Sequence, residues 1–190
     1  MLRIITGTAK GKKLKTLEGV ATRPTSERIK EAIFSSLQFD VEGRRVLDLF
    51  AGCGQMGLEA ISRGAVSCTF IDSEREAMDI VKENARACGF FDRSKFLVSD
   101  YRNYIRKAAS RDRFDLVFID PPYAMACAEE AAKRLAAAGM LALGALVVLE
   151  VGEESVSADG LSDFTVVKST AYGKKTAVTI LLYNPSSSEV

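Results

Sequence analysis

The chain has 190 residues, of which 47% are hydrophobic and 27% charged, so it can form one folded domain with a sizeable core. The absence of histidine excludes a Ser-His or Cys-His nucleophile. Four cysteines without any C-x-x-C pair argue against a structural zinc site or a disulfide framework, and no metal is expected.

The ends of the chain and its apolar runs give no sign of a membrane protein. The opening MLRIITGTAKGKKLK turns polar at once, unlike a signal peptide. No apolar run approaches the length needed to cross a bilayer. We therefore expect a reduced, cytoplasmic setting without a membrane partner.

Charge is concentrated at the N-terminus. Residues 1–30 contain eight Lys or Arg and two Glu, a net charge of +6, so the rest of the chain carries −5. A basic end on a mildly acidic body suggests contact with a polyanion, although a solvated lysine-rich hairpin is the alternative. The residues expected to make this contact are Arg3, Lys10, Lys12, Lys13, Lys15, Arg23 and Arg28.

The first forty residues predict a hairpin and a helix. LRIITG and KKLKT flank a glycine-containing turn at residues 7–11, a pattern typical of two short paired strands. Thr25 or Ser26 can cap a helix that runs to about Leu37, with Arg28 and Lys30 on its polar side.

From Arg45 onward, predicted strands and helices alternate. The strands are RVLDLF, SCTFID, SKFLVSD, FDLVFID and ALVVLEVG. The helices are LEAISRG, a segment from a Ser73–Glu76 capping box through Ala87, YRNYIRKAA and CAEEAAKRLAAAG. The tail FTVVKSTAYGKKTAVTILLY predicts two antiparallel strands joined across Tyr172-Gly173.

This alternation predicts an α/β fold. Near-continuous apolar strands separated by helices are typical of a doubly wound, mostly parallel sheet covered on both faces. Counting the final pair, the sheet has seven strands, and an N-terminal β-hairpin/helix extension precedes it. In such folds ligands bind beyond the carboxyl ends of the strands, so the residues at those ends are the candidates for a site.

A glycine-rich loop follows the first strand. Asp48 ends the strand, and Gly52, Gly54 and Gly57 match G-x-G-x-x-G, which permits close approach of the backbone to a ligand at a helix N-terminus. The pattern is weak alone and suits NAD as well as other nucleosides. Because no Walker lysine follows, it favours a ligand without a pyrophosphate.

Acids also end the second and third strands. Asp72 can accept hydrogen bonds from ribose hydroxyls, although Asp72 and Ser73 also suit a helix N-cap. Asp100 could meet an adenine amino group and Tyr101 could stack on the ring, with a cap again as the alternative.

The fourth strand ends in Asp120-Pro121-Pro122-Tyr123. Each proline lacks an N–H and has a fixed φ, so the carbonyls there form a rigid set of acceptors. Together with the Asp120 carboxylate they can receive the two N–H groups of a planar amine, on which Tyr123 can stack. A structural Pro-Pro turn with a surface tyrosine is the alternative.

Several motifs together resemble one known family. RIITGTAKGKKLKT, TRPTSERIKEAIFSSL, VLDLFAGCGQMGLEAISRGA, FDLVFIDPPY and AYGKKTAVTILLY are similar, in this order, to the RsmD family of bacterial 16S ribosomal RNA guanine-N2 methyltransferases. These enzymes have a class I, Rossmann-like methyltransferase fold. Cys53 departs from the serine expected in the family's loop.

The resemblance implies S-adenosyl-L-methionine (SAM) as cofactor and methyl transfer to the exocyclic N2 of a guanine in 16S ribosomal RNA, free or within the small ribosomal subunit. It implies a basic extension over residues 1–40, a SAM-binding methyltransferase domain over 41–185 and a frayed tail over 186–190. The catalytic residues would be Asp120, Pro121, Pro122 and Tyr123. The cofactor-binding residues would be Asp48, Ala51, Gly52, Gly54, Asp72, Ser73, Asp100 and Tyr101.

Two other functions remain open at this point. A DNA adenine-N6 or protein glutamine methyltransferase would share the cofactor loop and the amine cradle. An NAD-dependent oxidoreductase would share only G-x-G-x-x-G and Asp72, and it offers no explanation for Asp-Pro-Pro-Tyr. The motifs do not indicate which guanine is modified, the oligomeric state, or whether Asp120 acts as a base or only as an acceptor.

Overall fold

A computed structural model describes residues 2–16, 27–108, 111–122, 125–152, 161–173 and 176–185. The chain divides into two compact units, Met1–Tyr101 and Arg102–Val190, here called the N-terminal and C-terminal units. The α-helices of the described residues are α1 Glu27–Ser36, α2 Gln55–Ser62, α3 Arg75–Cys88, α4 Tyr101–Ala108 and α5 Ala128–Ala137. The strands are β1 Arg45–Asp48, β2 Ser67–Asp72, β3 Ser94–Val98, β4 Phe114–Ile119, β5 Leu141–Val151, β6 Phe164–Ala171 and β7 Ala177–Tyr183.

The strands form a mostly parallel sheet, as predicted. Its order is β3-β2-β1-β4-β5-β7-β6, of which the first three strands belong to the N-terminal unit. β2 runs parallel to β1 and to β3, and β4 runs parallel to β5. β7 is antiparallel to both β5 and β6, and the β6–β7 register shifts between Val166 and Lys168. The predicted fold class and the antiparallel final pair are confirmed.

In the N-terminal unit, α2 packs very closely on β2. A Cβ atom at Gly57 would lie 2.4 Å from Cε1 of Phe70 and 2.5 Å from Sγ of Cys68, so a residue without a side chain is required there. Every residue of α2 is buried. This close packing fixes the start of α2, which directly follows the glycine-rich loop.

The N-terminal segment folds back on itself as the sequence predicts. Arg3 and Lys13 form an antiparallel bridge, and the Ile4 N–H donates to the Lys12 carbonyl at 2.9 Å. Leu2, Ile4 and Leu14 are buried. The apolar side of the hairpin therefore faces the protein, while its lysines are exposed.

The hairpin is also bonded to the end of α2. The Thr8 N–H donates to the Ser62 carbonyl at 2.8 Å, and Ser62 Oγ accepts from the Ala9 N–H at 3.0 Å and donates to the Thr6 carbonyl at 2.6 Å. At Gly7, with φ +87°, an added Cβ would lie 1.8 Å from the Ser62 carbonyl oxygen. Only glycine permits this approach.

Two local predictions are wrong. Lys30, expected on the polar side of the first helix, is fully buried, because its ammonium group pairs with a buried carboxylate described below. The Ser73–Glu76 capping box is absent: α3 begins at Arg75 after Glu74, which makes no side-chain cap bond. Ser73 is exposed, and Asp72 Oδ1 accepts the Glu74 N–H instead. The predicted cap at Thr25 or Ser26 lies outside the described residues.

No helix among the residues that the structure describes combines the length and apolar character needed to cross a membrane. Within the same residues, no group of three or more Cys, Asp or Glu side chains is placed to hold a metal ion.

Candidate active site

Asp48 lies buried at the carboxyl end of β1. Its side chain is 3% exposed, and its Oδ2 accepts the Gly57 N–H from the first turn of α2 at 3.0 Å. Burial raises the pKa of the Asp48 carboxyl from 3.8 to about 7; the Gly57 hydrogen bond opposes the rise and the charge of Asp72 adds to it. The group is therefore poised to change charge near neutral pH.

The glycine-rich loop follows directly. Gly52 and Gly54 have φ values of +53° and +80°, the left-handed region that favours glycine. The Ala51 N–H donates to the Ile71 carbonyl at 2.9 Å, and the Gly54 N–H donates to the Ala51 carbonyl at 2.7 Å. A Cβ at Gly52 would meet nothing within 4 Å, so the backbone there borders open space that a ligand can approach.

Asp72 joins this loop to the end of β2. Its Oδ2 accepts the Gly52 N–H at 2.8 Å, while its Oδ1 accepts the Glu74 N–H at 2.9 Å. Burial raises the pKa of the Asp72 carboxyl, and these two hydrogen bonds oppose the rise. Each carboxylate oxygen still has a lone pair for a ligand hydroxyl. Asp72 therefore orders the turn before α3 without being its N-cap, which is Glu74, and it can still accept from a ligand.

The end of β3 lies beside Asp72. The Ser99 N–H donates to the Asp72 carbonyl at 2.8 Å, which places Asp100 one residue beyond this contact. Asp100 is half-buried. Tyr101 is 2% exposed, and its ring packs against that of Phe50 with centroids 5.3 Å apart. The ring of Tyr101 is therefore largely covered, and the half-buried Phe50 beside it is a further aromatic residue that the sequence reasoning missed.

The side chains that the N-terminal unit assembles here are hydrogen-bond acceptors. Besides the acids, Gln55 begins α2 with 6% exposure, and its Oε1 has no hydrogen-bond partner within the described structure. A ligand that carries a donor would satisfy this buried acceptor. SAM, with its ammonium group, sulfonium charge and ribose hydroxyls, fits this set of acceptors, whereas a pyrophosphate would require cations.

The second predicted cluster, at the end of β4, belongs to the C-terminal unit. Asp120 is half-buried, Pro121 buried and Pro122 exposed; Tyr123 lies outside the described residues. The Met125 N–H donates to the Pro122 carbonyl at 2.8 Å, so the Pro122 oxygen is already engaged in a turn. The Pro122 carbonyl therefore has one of its two lone pairs in use. Ala126, with φ +42°, follows in a left-handed conformation that is strained for a non-glycine residue.

The predicted basic surface is present on the N-terminal segment. Its described members, Arg3, Lys10, Lys12, Lys13, Lys15 and Arg28, are all exposed, whereas Arg23 lies outside the described residues. Arg3 pairs with Glu27 at 3.5 Å and Lys15 with Glu83 at 2.6 Å. Exposed pairs of this kind are weak, so both cations can exchange their partner for a phosphate.

Two buried polar residues near the loop were not predicted. Glu59 and Asn84 bond to backbone groups of the N-terminal segment. Asn84 occupies the apolar stripe of α3 with Val81, Ala85 and Cys88. A polar residue in an apolar helical stripe is the signal that could have identified it.

The sheet, with its antiparallel β7, and the glycine-rich loop are arranged as in the class I methyltransferases, the fold of the solved structures that the chain resembles. Comparisons with known proteins then give the family: the model described as "Conserved hypothetical protein 95" matches residues 2–181. The chain belongs to this family, the RsmD family expected from its motifs.

Individual relatives agree with this assignment. YlbH of Bacillus subtilis, provisionally described as an rRNA methyltransferase, is 32% identical over 173 residues, which cover 90% of this chain and 94% of the relative. "Ribosomal RNA small subunit methyltransferase D" of Haemophilus influenzae is 31% identical over 155 residues, 80% of each chain. The solved structure of yhhF from Escherichia coli, provisionally described as a methyltransferase, has a TM-score of 0.84 and 28% identity, and covers 97% of this chain and 99% of that one.

Proposed function

We propose that this protein is a SAM-dependent methyltransferase that methylates the exocyclic N2 of a guanine in 16S ribosomal RNA. The observation that carries the proposal is the acceptor-rich end of β4, where Asp120 is followed by two prolines. The names of the relatives from Bacillus and Haemophilus support ribosomal RNA as the substrate. In this proposal residues 1–40 bind RNA and residues 41–185 form the methyltransferase domain; the predicted frayed tail, residues 186–190, lies outside the described residues.

The N-terminal unit would hold the cofactor. SAM, when bound, supplies an electrophilic methyl group on a sulfonium sulfur. Asp48 and the Ala51–Gly54 loop would bind the methionine part of SAM. Asp72 and Ser73 would bind its ribose, and Asp100 and Tyr101 would bind its adenine. The Gly52 N–H bond to Asp72 keeps the loop and the ribose acceptor in register before the ligand arrives.

The residues at the end of β4 would receive the base. The amine of guanine is a poor nucleophile because its lone pair is delocalised into the ring. Accepting its two N–H bonds at Asp120 and the Pro121 carbonyl favours the geometry in which the lone pair points out of the ring plane. Transfer of the methyl group from the sulfonium sulfur to the amine would release one proton, which Asp120 or water would take. The base must leave its stack, and Tyr123 would replace part of that stacking.

The substrate is tested by comparing tritiated methyl transfer from SAM to small ribosomal subunits, naked 16S RNA, DNA and protein. We expect incorporation into the RNA, recovered as N2-methylguanosine when the nucleosides are separated by mass. Incorporation into DNA adenine or protein glutamine instead would contradict the proposal. Stabilisation by NAD and not by S-adenosylhomocysteine in a thermal-shift assay would contradict methyl transfer altogether.

Cofactor affinity should depend on pH through Asp48. The carboxyl is neutral below about pH 7 and ionised above it, and the ionised form attracts the cationic methionine part of SAM. Affinity is therefore expected to rise from pH 6 to pH 8 in isothermal titrations, and the Asp48→Asn variant should lose this rise. A wild-type affinity that is flat across this range would contradict the assignment of Asp48 to the cofactor.

The same carboxyl has the opposite effect on folding. Between pH 3.8 and about 7 the native Asp48 retains a proton that the unfolded chain has released. Its contribution to stability therefore falls as the pH rises through this window. Bound SAM favours the ionised form of Asp48 and should therefore reduce the loss of stability as the pH rises.

RNA binding should weaken steeply with salt because phosphate contacts release counterions. Replacing both Lys10 and Lys13 with glutamine is expected to make the plot of log K for RNA binding against log salt concentration shallower. The magnitude of its negative slope should fall by about 1.4 to 1.8, at roughly 0.7 to 0.9 per lost contact. The matched control replaces the exposed Lys107 and Lys133, which removes the same charge elsewhere. Equal slopes for the two double variants would show that the hairpin is not the RNA contact.

A further inference from the structure

Asn84 is a buried residue that bonds to two different parts of the N-terminal unit. It lies on α3 with 2% exposure. Its Oδ1 accepts the Lys15 N–H at 2.8 Å, and its Nδ2 donates to the Lys15 carbonyl at 3.0 Å. The amide therefore pairs with the backbone of Lys15 in both directions, as a neighbouring strand would.

The remaining N–H of Asn84 reaches the cofactor loop. Nδ2 also donates to the Cys53 carbonyl at 2.9 Å. Cys53 stands between Gly52 and Gly54, whose left-handed conformations shape the loop. One side chain thus holds the end of the basic hairpin and the middle of the glycine-rich loop.

The hydrogen bonds of Asn84 restrict the movement of the hairpin end relative to the glycine-rich loop. A primary amide has two N–H donors and one carbonyl oxygen, and all three groups are used. Because the side chain is buried, a broken bond is not readily replaced by water. If the Lys15 backbone moves, the Asn84 amide and the Cys53 carbonyl must therefore move with it, or one of these hydrogen bonds must break.

The side chain of Lys15 faces solvent from the same position. It is 72% exposed and pairs with Glu83, the residue before Asn84. A phosphate that takes Lys15 from Glu83 would bind the side chain of the residue whose backbone Asn84 holds. RNA on the hairpin would thus restrain the backbone group on which Asn84 depends.

We propose that Asn84 is a positioning residue through which RNA on the hairpin and the cofactor in the glycine-rich loop bind cooperatively. The proposal rests on the proposed function, since it concerns the same RNA and cofactor. RNA restrains the Lys15 backbone, and the Asn84 amide transmits this restraint to the Cys53 carbonyl in the glycine-rich loop. Bound RNA thereby raises the affinity for the cofactor by a coupling factor. By thermodynamic linkage, the bound cofactor raises the affinity for RNA by the same factor.

The test measures this factor directly. S-adenosylhomocysteine is titrated into the full chain with and without naked 16S RNA or small subunits, whichever the wild type methylates. We expect RNA to raise the affinity for S-adenosylhomocysteine at least about fivefold in the wild type. In Asn84→Asp, which keeps the acceptor for Lys15 but loses both donated bonds, the factor should fall below about twofold.

Two control variants separate coupling from support of the fold. Ser62→Ala removes the two side-chain bonds of Ser62 to the hairpin but leaves the Cys53 carbonyl untouched. Glu83→Gln removes the charge beside Asn84 but none of its bonds. Both should keep the wild-type coupling factor even where RNA affinity changes. A purely structural Asn84 would lower stability in its variant without changing the factor, and that result would overturn the proposal.

A measurement on the wild type makes the test independent of the variants' folding. The Lys15 amide is held by Asn84 Oδ1, so its hydrogen exchange reports the opening of that bond. S-adenosylhomocysteine alone should slow exchange at Lys15 severalfold, although Lys15 is not assigned to its site. Unchanged exchange at Lys15 would overturn the proposal.

Two results distinguish an error in the proposed coupling from an error in the proposed function. If the wild type methylates RNA but binds RNA and S-adenosylhomocysteine independently, the coupling through Asn84 is wrong and the function stands. If the wild type neither binds S-adenosylhomocysteine nor methylates RNA, the proposed function is wrong and the coupling falls with it.

Discussion

Replacing Asp120 with alanine is expected to reduce methyl transfer to RNA about a hundred- to a thousandfold. The carboxylate stands at the end of a strand whose last residues, Val117, Phe118 and Ile119, are buried, so its position is supported by the core. Since the cofactor is assigned to other residues, the affinity for S-adenosylhomocysteine should stay within about twofold, a free-energy change of about 0.4 kcal/mol. Single-turnover transfer and isothermal titration measure the two quantities separately.

A second variant at this position tests the role of the carboxylate. The Asp120→Asn variant keeps a carbonyl oxygen that can accept an N–H but cannot take a proton at neutral pH. If Asp120 is only an acceptor, this variant should retain much more activity than Asp120→Ala. If it is the base, both variants should be equally inactive. Loss of cofactor binding in Asp120→Ala would contradict the division of roles between the two clusters.

Replacing Glu59 with leucine is expected to lower the free energy of unfolding by about 3 to 5 kcal/mol, the range for removing one partner of a buried ion pair. Its carboxylate is fully buried and accepts the Ile5 and Thr6 N–H groups at 2.7 and 3.0 Å. Lys30 lies 3.7 Å from it, and Lys30 Nζ also donates to the Arg3 carbonyl at 2.6 Å. Without the carboxylate, the buried Lys30 ammonium group keeps only the Arg3 carbonyl among the described residues, and the Arg63 side chain and two backbone N–H groups lose an acceptor. Urea unfolding at neutral pH measures the change.

Two comparisons make this prediction specific. Asp79→Ala breaks the exposed Asp79–Lys82 pair on α3 and should change stability by less than about 1 kcal/mol. The double variant Glu59→Leu/Lys30→Met should lose less than the sum of the single losses, because the charge leaves with its counter-charge. Burial already lowers the pKa of Lys30, with Glu59 opposing the shift, so the lysine depends on this partner for its charge. A Glu59→Leu variant as stable as Asp79→Ala would show that the buried pair does not hold the hairpin.

The sheet and much of the candidate site follow from sequence patterns. Buried parallel strands appear as continuous apolar runs, and RVLD, SCTFID and FDLVFI lie within the predicted segments. Since ligands bind at the carboxyl ends of such strands, Asp48, Asp72 and Asp120 could be selected by position alone. The glycines of the loop were recognisable because their backbone conformations exclude other residues.

The remaining features depend on tertiary contacts that local patterns do not contain. Lys30 was assigned to a polar helix face because lysine is rarely buried, but a carboxylate from α2 makes its burial possible. The capping box failed because α3 begins at Arg75, which makes Glu74 and not Ser73 the N-cap residue. Asn84 was missed since its partners, Lys15 and Cys53, are 69 and 31 residues away in the chain.

The register shift in β6 bears on how the protein avoids aggregation. β6 and β3 are the outer strands of the sheet, and their outward backbone groups could pair with a strand of another molecule. In β6 the shift between Val166 and Lys168 interrupts the regular spacing of these groups, beside the exposed Val166 and Val167. β3 is limited to five residues. The exposed apolar edge of β6 is therefore poorly suited to pairing with a strand of another molecule.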